Sequence, residues 1–185
     1  MPTAPPKGFF REKIMPRLPI LLLASCTLVA AAPAETGKRY SFGNSKTGVS
    51  GEVRLKDAPN GVLVHIEATG LQPGWHAVHF HEKADCTDPM FKSADGHVHM
   101  VTPTFHGLLN PAGNDLGDLS NIFADAQGVV KAELFSPFVA LRDGTTRSNL
   151  LDADGSALVI HANADDYATQ PIGGAGARVA CTGIQ

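Results

Sequence analysis

No apolar run in this 185-residue chain is long enough to cross a membrane comfortably. The stretch from Leu18 to Ala32 is broken by Pro19, Ser25 and Thr27, and it falls short of the about 20 residues a spanning helix needs. Basic residues are few, 15 Lys and Arg against 18 Asp and Glu, and four of them (Lys7, Arg11, Lys13, Arg17) crowd the start. Without residues 1–34, which hold four basic and one acidic residue, 11 basic residues face 17 acidic ones, a net charge of −6. Such a balance argues against nucleic acid or an anionic membrane surface as partner, and an anionic substrate would need a local positive site. Helical periodicity over 11 or more residues is missing too, as are internal repeats and low-complexity tracts, and no second domain is indicated. Cysteine is limited to Cys26, Cys86 and Cys181.

The basic start, the apolar run and the closing Ala32-Pro33-Ala34 together read as a signal peptide, residues 1–34, cleaved before Glu35 to leave a mature domain of residues 35–185. Met15, followed by Pro16 and Arg17, is an alternative start, and a retained anchor or a buried helix is the competing reading. Leu23-Ala24-Ser25-Cys26 also resembles a bacterial lipobox, which would put a lipid anchor on Cys26, although the segment after Cys26 stays apolar. Either route uses up Cys26 and leaves Cys86 and Cys181. An even count in an exported chain suggests one disulfide, closing a loop of about 95 residues and contributing about 4–5 kcal/mol through loop entropy.

The mature part reads as all-β. Val49 to Leu55 and Val62 to Ala68 alternate about the turn signal Asp57-Ala58-Pro59-Asn60-Gly61, with Val62, Val64 and Ile66 on one face and Leu63, His65 and Glu67 on the other. Further short strands are expected at Trp75–His81, Ile122–Ala126, Val129–Phe135, Ala157–His161 and Ala177–Cys181. Many short strands with Gly and Pro turns suggest a sandwich or a Greek-key barrel. Two long stretches, 82–119 and 162–176, lack strand patterning, and loops of that length in a compact domain are usually functional or disordered.

Seven of the eight histidines lie between Trp75 and His161. On a strand His79 and His81 share one face, with Val78 and Phe80 on the other, and two imidazoles aimed together from a rigid strand suit a transition metal, copper and zinc above all. By itself the pair is moderately specific, since two solvated polar residues on an exposed face would read the same.

The wider order of motifs is more telling. Gly74-Trp-His-Ala-Val-His-Phe-His-Glu82, Ser93-Ala-Asp-Gly-His97, His106-Gly107, Leu116-Gly-Asp-Leu119, Val159-Ile-His161 and Gly176-Ala-Arg-Val-Ala-Cys181 follow one another as in the copper-zinc superoxide dismutase family. The chain closely resembles that family, its bacterial periplasmic branch especially, from about Lys38 to Gln185. The resemblance implies an eight-stranded Greek-key β-barrel with two long functional loops, and an enzyme turning superoxide into dioxygen and hydrogen peroxide. It implies copper on His79, His81, His97 and His161, with His97 also bridging to zinc and moving protons. Zinc would take His106 and Asp118 besides. It pairs Cys86 with Cys181, makes Arg178 the group that holds the anion, and makes Asp165 the carboxylate linking a copper His to a zinc His. Localisation would be periplasmic or secreted; homodimer and monomer both stay open.

Departures from the family pattern sharpen the reading. Asp115 stands where a third zinc histidine is expected. It can ligate zinc through oxygen, it can yield to His99, which the pattern lacks, or the site can be weak or empty. Ala77 and Thr182 replace glycines, which calls for a backbone adjustment if φ is positive there. His65 and His99 read as solvated, His76 as a hydrogen-bonding residue beside the copper strand, and Asp165-Asp166 as either a solvated turn or, through Asp165, a ligand support. A non-catalytic copper-storage or delivery module of the same fold would be expected to lose copper histidines or the arginine, and all are present. A copper electron carrier with a Cys ligand would need a His and a Met close after the cysteine, and Cys181 has neither behind it.

Overall fold

A computed structural model describes residues 1–4, 37–42 and 47–185 of the chain. The expected processing segment beyond its first four residues, with Cys26, and the expected new terminus Glu35 lie outside the described residues. Glu35–Gln185 form one compact unit.

The described residues hold strands and one short 3-10 turn but no α-helix. None of their helices is long and apolar enough to cross a membrane. In chain order the strands are β1 (Lys38–Phe42), β2 (Ser50–Ala58), β3 (Gly61–Thr69), β4 (Gly74–His76), β5 (Val78–His81), β6 (Ile122–Ala124), β7 (Val130–Ser136), β8 (Val139–Ala140), β9 (Ser148–Asn149), β10 (Ser156–His161) and β11 (Arg178–Ile184). Counting β4 and β5 as one strand interrupted at Ala77, and setting aside the two-residue parallel pair β8–β9, leaves the expected eight.

One sheet has the order β1-β2-β3-β7. Opposite it, β11-β10-β5 pair in order, and β4 pairs with β6. The chain leaves β3 for the second layer, makes β4, β5 and β6 there, and returns as β7 beside β3, which is the Greek-key crossing. Hydrogen bonding does not close the two layers into a full barrel. Period-two patterning explains the packing. On β3, Val62, Val64, Ile66 and Ala68 are buried, as are Val53 and Leu55 on β2, and they meet Val78, Phe80, Leu158 and Ile160 from the other layer in one core.

Because Val78 and Phe80 occupy the core, His79 and His81 project to the opposite face, where they pair across β10 with Val159 and Ala157. The two long loops form no regular strands, as their sequences lead one to expect. The first, 82–119, begins as a subloop fastened by the Cys86–Cys181 disulfide, with Cα atoms 5.8 Å apart. A small core of Phe91, Ala94, Ala157, Val159 and Cys181 lies beneath it. Ala77 and Thr182 need none of the adjustment their glycine counterparts suggested. Among the described non-glycine residues only Phe91, Asp95 and Tyr167 have positive φ.

Candidate metal centre

β5 is buried along its whole length and is the base of the site. The long loop folds back on it. Phe80 N–H donates to Gly117 O (2.8 Å), Val98 N–H donates to Phe80 O (3.0 Å), and single bridges join His79 to Asp118 and His81 to His97. Gly117 permits this approach, since a Cβ there would stand 2.3 Å from Phe80 O. His161 arrives at the end of β10, its N–H donating to Ala77 O (2.9 Å) across the break between β4 and β5.

Four imidazoles thereby meet. In each, one ring nitrogen is tied down: His79 Nε2 to Asp165 Oδ2 (2.9 Å), His81 Nδ1 to Asp95 O (2.8 Å), His97 Nδ1 to Asp115 Oδ2 (2.8 Å) and His161 Nδ1 to Gly176 O (3.2 Å). Those partners only accept, so the tied nitrogen donates and the other carries a lone pair. The remaining atoms, His79 Nδ1, His81 Nε2, His97 Nε2 and His161 Nε2, are buried without a hydrogen-bond partner. Ligand atoms of this set all lie within 4.8 Å of one another. Leaving one buried polar atom unpaired costs about 1–3 kcal/mol, so four converging on one point is the arrangement of ligands for an ion. Burial pushes His81 down to about 2 and His161 down to about 3, with neighbouring cations, Arg178 among them, adding to the effect. His79 is lowered too, mainly by burial. These three rings are therefore neutral, as metal ligands must be.

A second cluster shares His97. His97, His106, Asp115 and Asp118 are all buried and their ligand atoms lie within the same 4.8 Å. His106 Nδ1 lies 2.7 Å from Asp118 Oδ1 and 3.7 Å from Asp115 Oδ2, and His97 Nδ1 lies 2.8 Å from Asp115 Oδ2 and 3.4 Å from Asp118 Oδ1. Each carboxylate is oriented through its other oxygen, Asp115 Oδ1 by Gly117 N–H (2.9 Å) and Asp118 Oδ2 by Gly107 N–H (2.7 Å). Two imidazoles and two carboxylates are a donor set that zinc accepts. Here burial, which opposes charge on His106, is outweighed by Asp115, Asp118 and Asp165, lifting it to about 11. His97 is raised in the same way by Asp115 and Asp118.

Asp165 joins the clusters, its two oxygens on His79 Nε2 (2.9 Å) and His106 Nε2 (3.0 Å). It is buried and is fixed in turn by Asn121, whose side chain bonds both the N–H and the C=O of Asp165 (2.9 and 2.8 Å). Asp166 instead is exposed and caps the amides of Ala168 and Thr169, so the two aspartates have separate roles. Gly173 leaves room for the link: a Cβ there would fall 1.6 Å from Asp165 Oδ1.

Arg178 begins β11, half-buried, and donates to Phe91 O (2.5 Å) and Asp95 O (2.6 Å). Both acceptor residues sit at positive φ, 58° and 65°, so the subloop is bent to present these carbonyls. Asp95 O also accepts from His81, which joins the arginine to the four-imidazole set through one oxygen. A cavity of about 290 Å³ opens here, lined among others by His97, His99, Asp115 and Arg178.

The remaining histidines sort as the sequence suggested. His76 is buried between His161 O and Gln72 O (2.7 Å each), and His65 lies among Glu67 and Glu133 on the outer face of β3. His99 donates to His97 O (2.9 Å) beside Glu82 and is outside every metal-type cluster, whereas Asp115 is inside one. Sequence reasoning passed over Asp95, Asn121 and Gln170. Their work is done by side chain–backbone bonds between residues distant in sequence, which leave no motif to read.

A family profile described as copper/zinc superoxide dismutase matches residues 49–184. Among relatives, a copper-zinc superoxide dismutase of Caulobacter vibrioides is 61% identical over 132 residues, covering 71% of this chain and 76% of that one. A second, from Aquifex aeolicus, is 39% identical over 169 residues, covering 90% and 98%. Among solved structures, a superoxide dismutase-like protein from Bacillus subtilis superposes with a TM-score of 0.73 at 36% identity, covering 80% of this chain and 99% of that one.

Proposed function

We infer the use of the two clusters from one premise: the chain belongs to the copper/zinc superoxide dismutase family, and it is an enzyme of that activity. The family implies copper and zinc. We assign copper to His79, His81, His97 and His161, and zinc to His97, His106, Asp115 and Asp118. The observation that carries the assignment is the convergence of four buried imidazole nitrogens with no other partner.

Copper held by these four imidazoles would supply the one-electron redox chemistry that superoxide dismutation needs. The chain supplies the rest. Arg178 stays charged at any working pH and presents a planar fork to the anion at the cavity, the local positive site that a net-acidic protein needs. His97 Nε2, facing the other three imidazoles, can take up a proton and pass it to the nascent peroxide while Nδ1 stays on the zinc side. Asp165 keeps the His79 and His106 rings in register with each other.

For the chain as a whole we propose export to the periplasm or beyond the cell, with processing ahead of Glu35 or lipidation at Cys26. The Cys86–Cys181 disulfide supports an oxidising compartment. The test of the catalytic reading is Arg178→Glu, which should lower kcat/KM for superoxide at least tenfold while copper per chain stays unchanged. Full activity with full copper would mean that the anion enters elsewhere.

A further inference from the structure

His106 has no strand neighbour to hold its backbone, yet one side chain pairs both of its peptide groups, with Asn110 Nδ2 sharing the carbonyl (2.9 Å). Gln170 Oε1 accepts the His106 N–H (2.9 Å), and Gln170 Nε2 donates to His106 O (2.7 Å). The amide thus acts as a peptide unit would in a neighbouring strand, across a separation of 64 residues. Around it the same loop grips the same place: Leu109 N–H donates to Tyr167 O (3.0 Å), and Gly107 has room for no side chain, since a Cβ would lie 2.2 Å from that oxygen.

The zinc-type cluster has a use for such a grip. Of its four imidazole–carboxylate separations, the one from His106 Nδ1 to Asp115 Oδ2 is longest, 3.7 Å. Where a third imidazole would reach further, the short Asp115 side chain leaves Asp118 as the one close cluster partner of His106 Nδ1, with Asp165 on the other ring nitrogen (3.0 Å). Its position must then be set from outside the cluster. We propose that Gln170 is a positioning residue for zinc, holding the His106 backbone so that a two-His, two-Asp site can close. The proposal rests on the zinc assignment above. It is distinct from that assignment because Gln170 touches no ligand atom.

Gln170 is exposed, so it can be changed without opening a core. Gln170→Met keeps the length and removes both hydrogen bonds to His106, together with the one to Ala168 O (3.0 Å); Gln170→Ala is a second variant that removes the side chain. Zinc affinity, measured by chelator competition on the disulfide-bonded protein, should fall about tenfold in both, the lower end of what partners behind metal ligands contribute. Cobalt placed in the zinc site should show shifted visible bands. His106→Ala serves as the reference. If it binds zinc normally, the zinc assignment fails. If it loses zinc while the Gln170 variants keep native affinity and native cobalt bands, even with a lower melting temperature, Gln170 is merely structural and the proposal is overturned.

Discussion

Asp115 shows how much one residue can change the electrostatics of a shared site. Burial keeps His79, His81 and His161 neutral, His81 down at about 2 and His161 at about 3, whereas the carboxylates raise the shared His97 and lift His106 to about 11. A raised pKa stabilises the metal-free fold fully below the ordinary imidazole value, and the contribution is lost only as pH climbs through about 11. At neutral pH the cluster of His97, His106, Asp115 and Asp118 is therefore held by its own charges, and a zinc ion bound there would displace protons from it. Titration calorimetry in buffers of different ionisation enthalpy should show protons released when zinc binds, with zinc affinity rising with pH. Asp115→Ala should strip zinc but leave copper on His79, His81 and His161; a full equivalent of zinc in that variant would remove Asp115 from the ligand set. Asp115→His should tighten zinc and raise the melting temperature without abolishing activity.

At the scale of elements, the strands were largely legible and the loops only as blanks. β3 could be read from Val62, Val64 and Ile66 because one face is core and the other solvent, and β5 from its two histidines. β1 escaped notice because it is an edge strand with a mostly exposed pattern, Lys38 and Arg39 leading it, so burial imposes little alternation. The residues that meet in the two His/Asp clusters stand in or next to the ordered motifs; the grips of Asn121 and Gln170 left no periodic trace. The loops are also held by small carboxylate caps. Hydrogen bonds from Thr87 to Asp85, from the Lys92 and Met90 amides to Asp88, and from Thr169 and the Ala168 amide to Asp166 hold these carboxyls below their ordinary values. A depressed carboxyl stabilises above its unfolded value, and that contribution is lost as pH falls through the lowered one. These groups are exposed, so each effect is small. Below about pH 4, hydrogen-exchange protection should fall first at residues 85–92 and 166–169 while β2, β3 and β7 stay protected. Simultaneous loss everywhere would show that the caps do not control the loops.

For the molecule as a whole, the disulfide ties stability to the site. Cys181 lies on β11 three residues beyond Arg178, and Cys86 opens the subloop whose Phe91 and Asp95 carbonyls receive that arginine. The same bond thus closes a loop of 95 residues and fixes the carbonyls that receive Arg178 relative to the strand that carries it. Loop entropy puts its contribution at about 4–5 kcal/mol, and in a domain of this size that corresponds to a melting temperature lower by about 10–20 °C without it. Replacing both cysteines by serine should produce a drop of that order and, with copper per chain unchanged, a several-fold lower kcat/KM, because Arg178 loses its fixed acceptors. Activity that falls only in proportion to lost copper would mean that the bond serves stability alone. The exported protein should carry the pair oxidised, with its N-terminus near Glu35 or a lipid on Cys26. Intact-mass analysis distinguishes these two forms, and free thiols at both Cys86 and Cys181 would count against residence in an oxidising compartment.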